Sequence, residues 1–208
     1  MFMISTSLYV SLIMAYCIGS LSFAIIVSKF MKINDPRTYG SHNAGATNVM
    51  RSGNKVAGVL TFLGDFLKGF IVVVVAKHFF AHVQGGDTIA ALCGILVVIG
   101  HIYPIFFKFK GGKGVATALG VMLGFNLYLA LATLVTWVLV FKSFKISSLA
   151  ALVALVLAPV YAYLFMGNNA YFGAVLVIAF FVLYKHKTNI IRLFTNQEYK
   201  FKDSLPPC

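Results

Sequence analysis

Cysteine is scarce in this chain. Cys17, Cys93 and Cys208 are scattered and no CxxC spacing occurs, so neither a disulfide framework nor a thiolate metal site can be built from them. Charge is thin as well, at 11% of residues, while 60% are hydrophobic, which exceeds the apolar share of a soluble domain. No polar stretch is longer than Lys29 to Lys55 or the tail from Lys185 onward, which leaves no room for a separate soluble domain. The N-terminal stretch has neither a basic leader nor a small-residue cleavage site, so Ile4 to Phe30 reads as a retained first span and not as a signal peptide. What remains is a series of apolar runs of bilayer-crossing length. The expected fold class is an all-α polytopic membrane protein, with residues 1–208 forming one membrane-embedded domain.

The runs place spans at Ile4–Phe30, Val56–Phe80, Ile89–Phe107, Ile146–Phe165 and Ala170–Tyr184. Between the third and fourth of these lies Val115–Phe141. As one helix it would reach about 40 Å, against a hydrocarbon core of about 30 Å. Gly124, Phe125 and Asn126 offer a break, giving a short helix from Val115 and a fuller one from Leu127. Charge placement favours two crossings there. Seven spans, one of them short, put fifteen of the seventeen Lys and Arg on one face, with only Lys77 opposite and Lys68 inside a span. The positive-inside rule then sets the N-terminus outside and the C-terminus in the cytoplasm. The same orientation accounts for most of the net charge of +12, which by itself does not imply nucleic acid.

Three polar stretches share the basic face. The first, GSHNAGATNVMR, runs from Gly40 to Arg51. Its glycines open backbone conformations closed to other residues, while Ser41, Asn43, Thr47 and Asn48 hold short hydrogen-bonding groups near the main chain. Arg51 adds a permanent cation suited to a phosphate or carboxylate. The alternative is a solvated loop whose Ser and Asn merely cap helices. Just beyond it, Asp65 and Lys68 stand at i, i+3 within the second span, either as a functional pair or, the reading preferred here, as a structural pair anchoring the loop.

The second stretch is GHIYPIFFKFKGGKGVAT, from Gly100 to Thr117. Gly111, Gly112 and Gly114 surround Lys113, with Lys110 close by, and a helix starts just after. Flexible amides, a helix N-terminus and an ammonium then converge as a phosphate cradle. A Walker loop is excluded by Phe107 and by the lack of Ser or Thr after Lys113. A plain glycine-rich turn is the competing reading, and His101 and Pro104 are expected only to shape the end of the third span.

The third stretch, KHKTNIIRLFTNQE, carries His186 and Asn189 on one helical face, with Ile190, Ile191, Leu193 and Phe194 making an apolar side for the membrane surface. Glu198 lies nine positions beyond Asn189, past the reach of a shared helical face, and is expected to hold the tail. His78 and His82 lack the Glu of HExxH, so no metal is expected there.

Taken in order, GSLSFAIIVSK, DPRTYGSHNAGATNVMRSGNK, DFLKG, GHIYPIFFKFKGGKGVAT and HKTNIIRL followed by Glu198 resemble the signature motifs of the bacterial acyl-phosphate:glycerol-3-phosphate acyltransferases, integral enzymes of phospholipid synthesis. The chain departs from the family pattern at Ser22 (Pro in many members), His42 (usually Gly) and Asn196 (often Gly), and His42 puts the loop backbone in question. The resemblance implies acyl transfer from acyl phosphate to the sn-1 hydroxyl of glycerol 3-phosphate, giving lysophosphatidic acid and phosphate at the cytoplasmic face of the bacterial inner membrane. It also implies a site lined by Ser41, Arg51, Lys113, His186 and Asn189, a glycine loop for glycerol 3-phosphate, and no acyl-CoA or carrier-protein donor. Two phosphates about 6 Å apart repel by roughly 10 kcal/mol at an effective dielectric near 20, so the few cations, Arg51, Lys113 and Lys110, must serve one site. Acyl phosphate is already activated, so neither a cofactor, a metal nor a protein nucleophile is required. The proton acceptor is either His186 or a substrate phosphate. The competing class is a carrier of phosphate or an organic anion, which the half-length helix would also suit.

Overall fold

The computed structural model describes residues 2–200, with side chains from residue 6 onward. Among these residues there are ten α-helices and no strand. They are α1 (Phe2–Gly19), α2 (Phe23–Phe30), α3 (Ala46–Met50), α4 (Lys55–Phe79), α5 (Gly86–Ile102), α6 (Val115–Phe125), α7 (Leu127–Phe144), α8 (Ser147–Met166), α9 (Ala170–Lys185) and α10 (Lys187–Phe194). Four are apolar and long enough to cross a membrane, and the bent pairs α1/α2 and α9/α10 raise the number to as many as six.

Sequence sets where the helices stop and start. Asn54, Asn126 and Asn169 each accept a bond at an N-terminus, from the amides of Ala57, Leu129 and Phe172. Asn126 therefore ends α6 and begins α7, as the Gly-Phe-Asn break predicts. Two spans are broken within. The first is two helices meeting at 47° around residues 20–22; the third runs to Phe107 as expected, but its α-helix stops at Ile102, because Pro104 cannot continue it, and a 3-10 turn covers Ile105–Phe107.

α6 has only 11 residues, roughly 16 Å of helix, and sits mostly buried against α4. The approach is close because Gly69 of α4 faces the Thr117 carbonyl and Gly120 of α6 faces the Phe66 carbonyl; a Cβ at either would overlap backbone. Small residues at crossings are how helices associate where lipid removes the hydrophobic drive. The last carbonyls of a helix have no partner within it, and Lys77 Nζ donates to one of these, Gly124 O, at 3.3 Å. α7 and α8 pack on each other beside α6 and leave a cleft between.

Candidate active site

That cleft is the wall of a cavity of about 400 Å³. Its lower part is apolar, lined by Leu119 and Met122 of α6, Leu134, Trp137 and Phe141 of α7, and Ala151, Ala154 and Leu155 of α8. Its mouth is polar. Ser41, Asn43, Thr47, Asn48, Arg51, Lys113, Gly114, His186, Asn189 and Glu198 line it, with the buried Asp65 of α4 also on the cavity wall, so the three polar stretches meet in space.

The two cations are drawn out of water. Lys113 Nζ donates to Asn189 Oδ1 at 2.6 Å. Burial, reinforced by Arg51, Arg192 and Lys185 and opposed by Glu198, pushes its pKa down to about 8. Burial also lowers that of Arg51, whose buried Nε has no hydrogen-bond partner and whose guanidinium lies 5.2 Å from the centre of the Tyr199 ring. Arg192 lies 5.5 Å from the same ring centre. His186 is buried at the break between α9 and α10, with Nδ1 2.7 Å from the Val182 carbonyl oxygen. A carbonyl only accepts, so Nδ1 carries the proton and Nε2 keeps a lone pair. Burial first, then Lys113, holds the imidazolium down at about 4, so the ring is neutral at pH 7.

Several residues stand elsewhere than the sequence led one to expect. Lys110 is exposed and does not line the cavity. Gly111 and Gly112 do not line it either: the Gly112 amide donates to His101 O at 3.2 Å and is not free for a phosphate. Asn48 lines the mouth but spends its amide on the loop, accepting from Ser41 N at 2.9 Å and donating to Pro36 O at 2.6 Å. It shapes the loop that presents Ser41. Glu198 is not remote. A 58° bend between α9 and α10, and Asn196 at φ 54°, turn the chain back so that Oε1 accepts from Asn189 at 2.8 Å and from Ser148 at 3.0 Å. His42 takes φ 55°, the conformation glycine favours, with Nδ1 3.1 Å from Arg37 O.

Sequence reading missed Ser147 and Ser148, which line the mouth at the start of α8, with Ser147 Oγ 3.2 Å from Thr47 Oγ1. It also set His101 aside, although the ring lines the cavity and stands 3.3 Å from Asp65 Oδ1. The His-Asp spacing across two helices left no periodic trace. Lys68, as expected, pairs with Asp65 at 2.8 Å and stays out of the cavity.

The family model for Glycerol-3-phosphate acyltransferase matches residues 9–196. The chain belongs to this family. Proteins named glycerol-3-phosphate acyltransferase in Chromobacterium violaceum and Thiobacillus denitrificans are 51% and 53% identical over 197 and 184 residues, covering 94% and 88% of this chain and 96% and 92% of the relatives. Two crystal forms of PlsY, an integral membrane glycerol 3-phosphate acyltransferase, match with TM-scores of 0.87 and 0.86 at 38% and 37% identity. Each comparison covers 93% of this chain and 95% of the other. One is the glycerol 3-phosphate form and the other the lysophosphatidic acid form. Membership agrees with an all-helical, multi-pass membrane protein.

Proposed function

We propose that the protein transfers an acyl group from acyl phosphate to the sn-1 hydroxyl of glycerol 3-phosphate, releasing lysophosphatidic acid and phosphate. One observation carries this reading: a mouth holding Arg51, Lys113, His186 and Asn189 opens onto a cleft walled by apolar side chains, the shape of a molecule with an anionic head and a hydrocarbon tail. Family membership supports it, as do the glycerol 3-phosphate and lysophosphatidic acid forms of PlsY.

Arg51 and Lys113 offset the charge of the two phosphates, and Ser41, Asn43 and Asn189 position them. The neutral His186 accepts a hydrogen bond from the attacking hydroxyl through Nε2 and orients it. The hydroxyl oxygen bonds to the acyl carbon, the carbon–oxygen bond to phosphate breaks, and its electron pair leaves with the phosphate. A histidine held near 4 is a weaker base than the departing phosphate, since even a phosphomonoester takes its second proton at about pH 6 and free phosphate is more basic still, so the proton ends on phosphate. The chain is read as one domain of seven spans: α1/α2, α4, α5, the short α6, α7, α8 and α9. The N-terminus lies outside, and the C-terminus and site face the cytoplasm at the bacterial inner membrane.

Purified protein in detergent, given acyl phosphate and glycerol 3-phosphate, is expected to release inorganic phosphate and form lysophosphatidic acid with no membrane to cross. Well-folded protein that releases none, yet moves phosphate across vesicles, would make the anion-carrier reading the better one.

A further inference from the structure

We infer that His101, held by Asp65, is the positioning residue for Lys113, and that Lys68 ties this pair to the break in the first span. The inference rests on the proposed role of Lys113 as the cation for a substrate phosphate.

Lys113 sits at the end of a connection, residues 103–114, whose 3-10 turn at Ile105–Phe107 stops six residues before the ammonium it must hold in place. The surface beneath the loop is His101. Its carbonyl oxygen accepts the Gly112 amide at 3.2 Å. Its ring lies so close under Gly112 that a Cβ there would overlap Nε2, and on the other side the Ala44 carbonyl presses equally near. Gly112, one residue before Lys113, is thus gripped between the His101 ring and the first polar loop. The height and tilt of that ring decide where Lys113 begins.

The ring is in turn fixed from the other edge. Asp65 Oδ1, across from α5 on α4, lies 3.3 Å from His101 Nδ1. It also forms an ion pair with Lys68, whose Nζ is 2.8 Å away. The same ammonium donates to Gly19 O at 2.8 Å and Leu21 O at 2.6 Å, carbonyls at the break between α1 and α2. All three side chains are buried, at 2%, 4% and 5% exposure for Asp65, Lys68 and His101. So costly a polar cluster at membrane depth needs a use beyond packing, since buried ion pairs are weak sources of stability. The chain of contacts gives that use. It runs from the first span through Lys68, Asp65 and His101 to Gly112, and ends one residue from the cation at the mouth.

The test is steady-state kinetics with both substrates, per folded molecule, with a melting curve for each variant. His101→Ala and Asp65→Asn are expected to raise the KM for glycerol 3-phosphate by roughly tenfold or more, as a small misplacement of a binding group does, and to leave the KM for acyl phosphate nearly unchanged. The diagnostic measurement is a cycle with Gly112→Ala. A new Cβ would strike both the ring and the Ala44 carbonyl, so removing the ring relieves one of two overlaps: Gly112→Ala in the His101→Ala background should still be costly but cost less than in the parent, outside the roughly twofold scatter of independent sites. Multiplying effects, equal rises in both KM values, or a lowered melting point with parental constants would overturn the assignment. If His101→Ala fails to fold, the nearly isosteric Asp65→Asn carries the test, and parental kinetics in that folded variant would refute it. A parent enzyme without activity would instead sink the proposed function, so the two failures are distinguishable.

Discussion

The pKa of Lys113 makes substrate binding a titration. Moving the ammonium from 10.5 to about 8 corresponds to about 3 kcal/mol of disfavour for the charged form in the ligand-free site. The sign is that of a lowered lysine. Below about pH 8 the folded protein bears the whole penalty; between there and the ordinary lysine range the unfolded chain holds more protons, so empty protein gains stability as pH rises. Binding runs the other way, because a phosphate dianion needs the proton that alkali removes. If only the ammonium form binds, the apparent KM for glycerol 3-phosphate scales as one plus ten to the power of pH minus pKa, a rise of about tenfold from pH 7 to pH 9. The substrate's own second ionisation, near 6, is complete over that range and adds no slope. The assay is lysophosphatidic acid formation at saturating acyl phosphate, with enzyme-free hydrolysis of the donor subtracted at each pH. Lys113→Arg is the control, since a guanidinium stays charged throughout: its KM is expected to be higher than the parent's but level across the range. A parental KM that stays level to pH 9, or a Lys113→Arg profile that climbs like the parent's, would refute the reasoning.

Three further outcomes are expected. His186→Ala should melt like the parent while kcat falls by about 10²-fold, the scale of loss when a reacting group is no longer held in line; near-parental turnover in folded protein would remove His186 from the mechanism. Glu198→Ala strips Asn189 and Ser148 of a charged acceptor, so it should lose about 1.5–3 kcal/mol of stability together with turnover, whereas Glu198→Gln, which keeps an oxygen there, should retain most of its turnover; equal behaviour of the two in melting and kcat would contradict the hydrogen-bond account. Single cysteines at Asn54, Lys110 and Lys187 in a cysteine-free background should react with an impermeant thiol reagent only from the cytoplasmic side, and labelling of Lys187→Cys on intact cells would reject the seven-span arrangement.

What the sequence disclosed depended on whether the signal was local. The break at Asn126 was legible because an N-capping side chain acts on its own backbone within three residues. The meeting of the three basic-face stretches followed from charge placement and the family motifs. Long-range placements left no such mark. His101 and Asp65 stand on different helices, and only the crossing of α4 and α5 brings them to 3.3 Å. Glu198 stands beyond helical reach of Asn189 in sequence, and only the left-handed Asn196 after the end of α10 returns it to that side chain, a backbone feature that spacing does not show. Gly112 and Asn48 have the right chemistry for a ligand, but their hydrogen bonds are taken by His101, Ser41 and Pro36, which spacing alone does not reveal.

The turn that brings Glu198 and Tyr199 back over Arg51 has a consequence for the life of the chain before it is complete. The apolar cleft is made by α6, α7 and α8, and Arg51 and Lys113 precede them or open them, so groove and cations exist once α8 has entered the membrane. His186, Asn189 and Glu198 arrive last. A nascent or truncated chain that stops short of them presents a tail-binding slot without the imidazole of His186 and without the Asn189 oxygen that accepts from Lys113. On the proposed site, such a fragment is expected to sit in the bilayer without turning over until synthesis, running from the N-terminus, has delivered the final bent pair of helices.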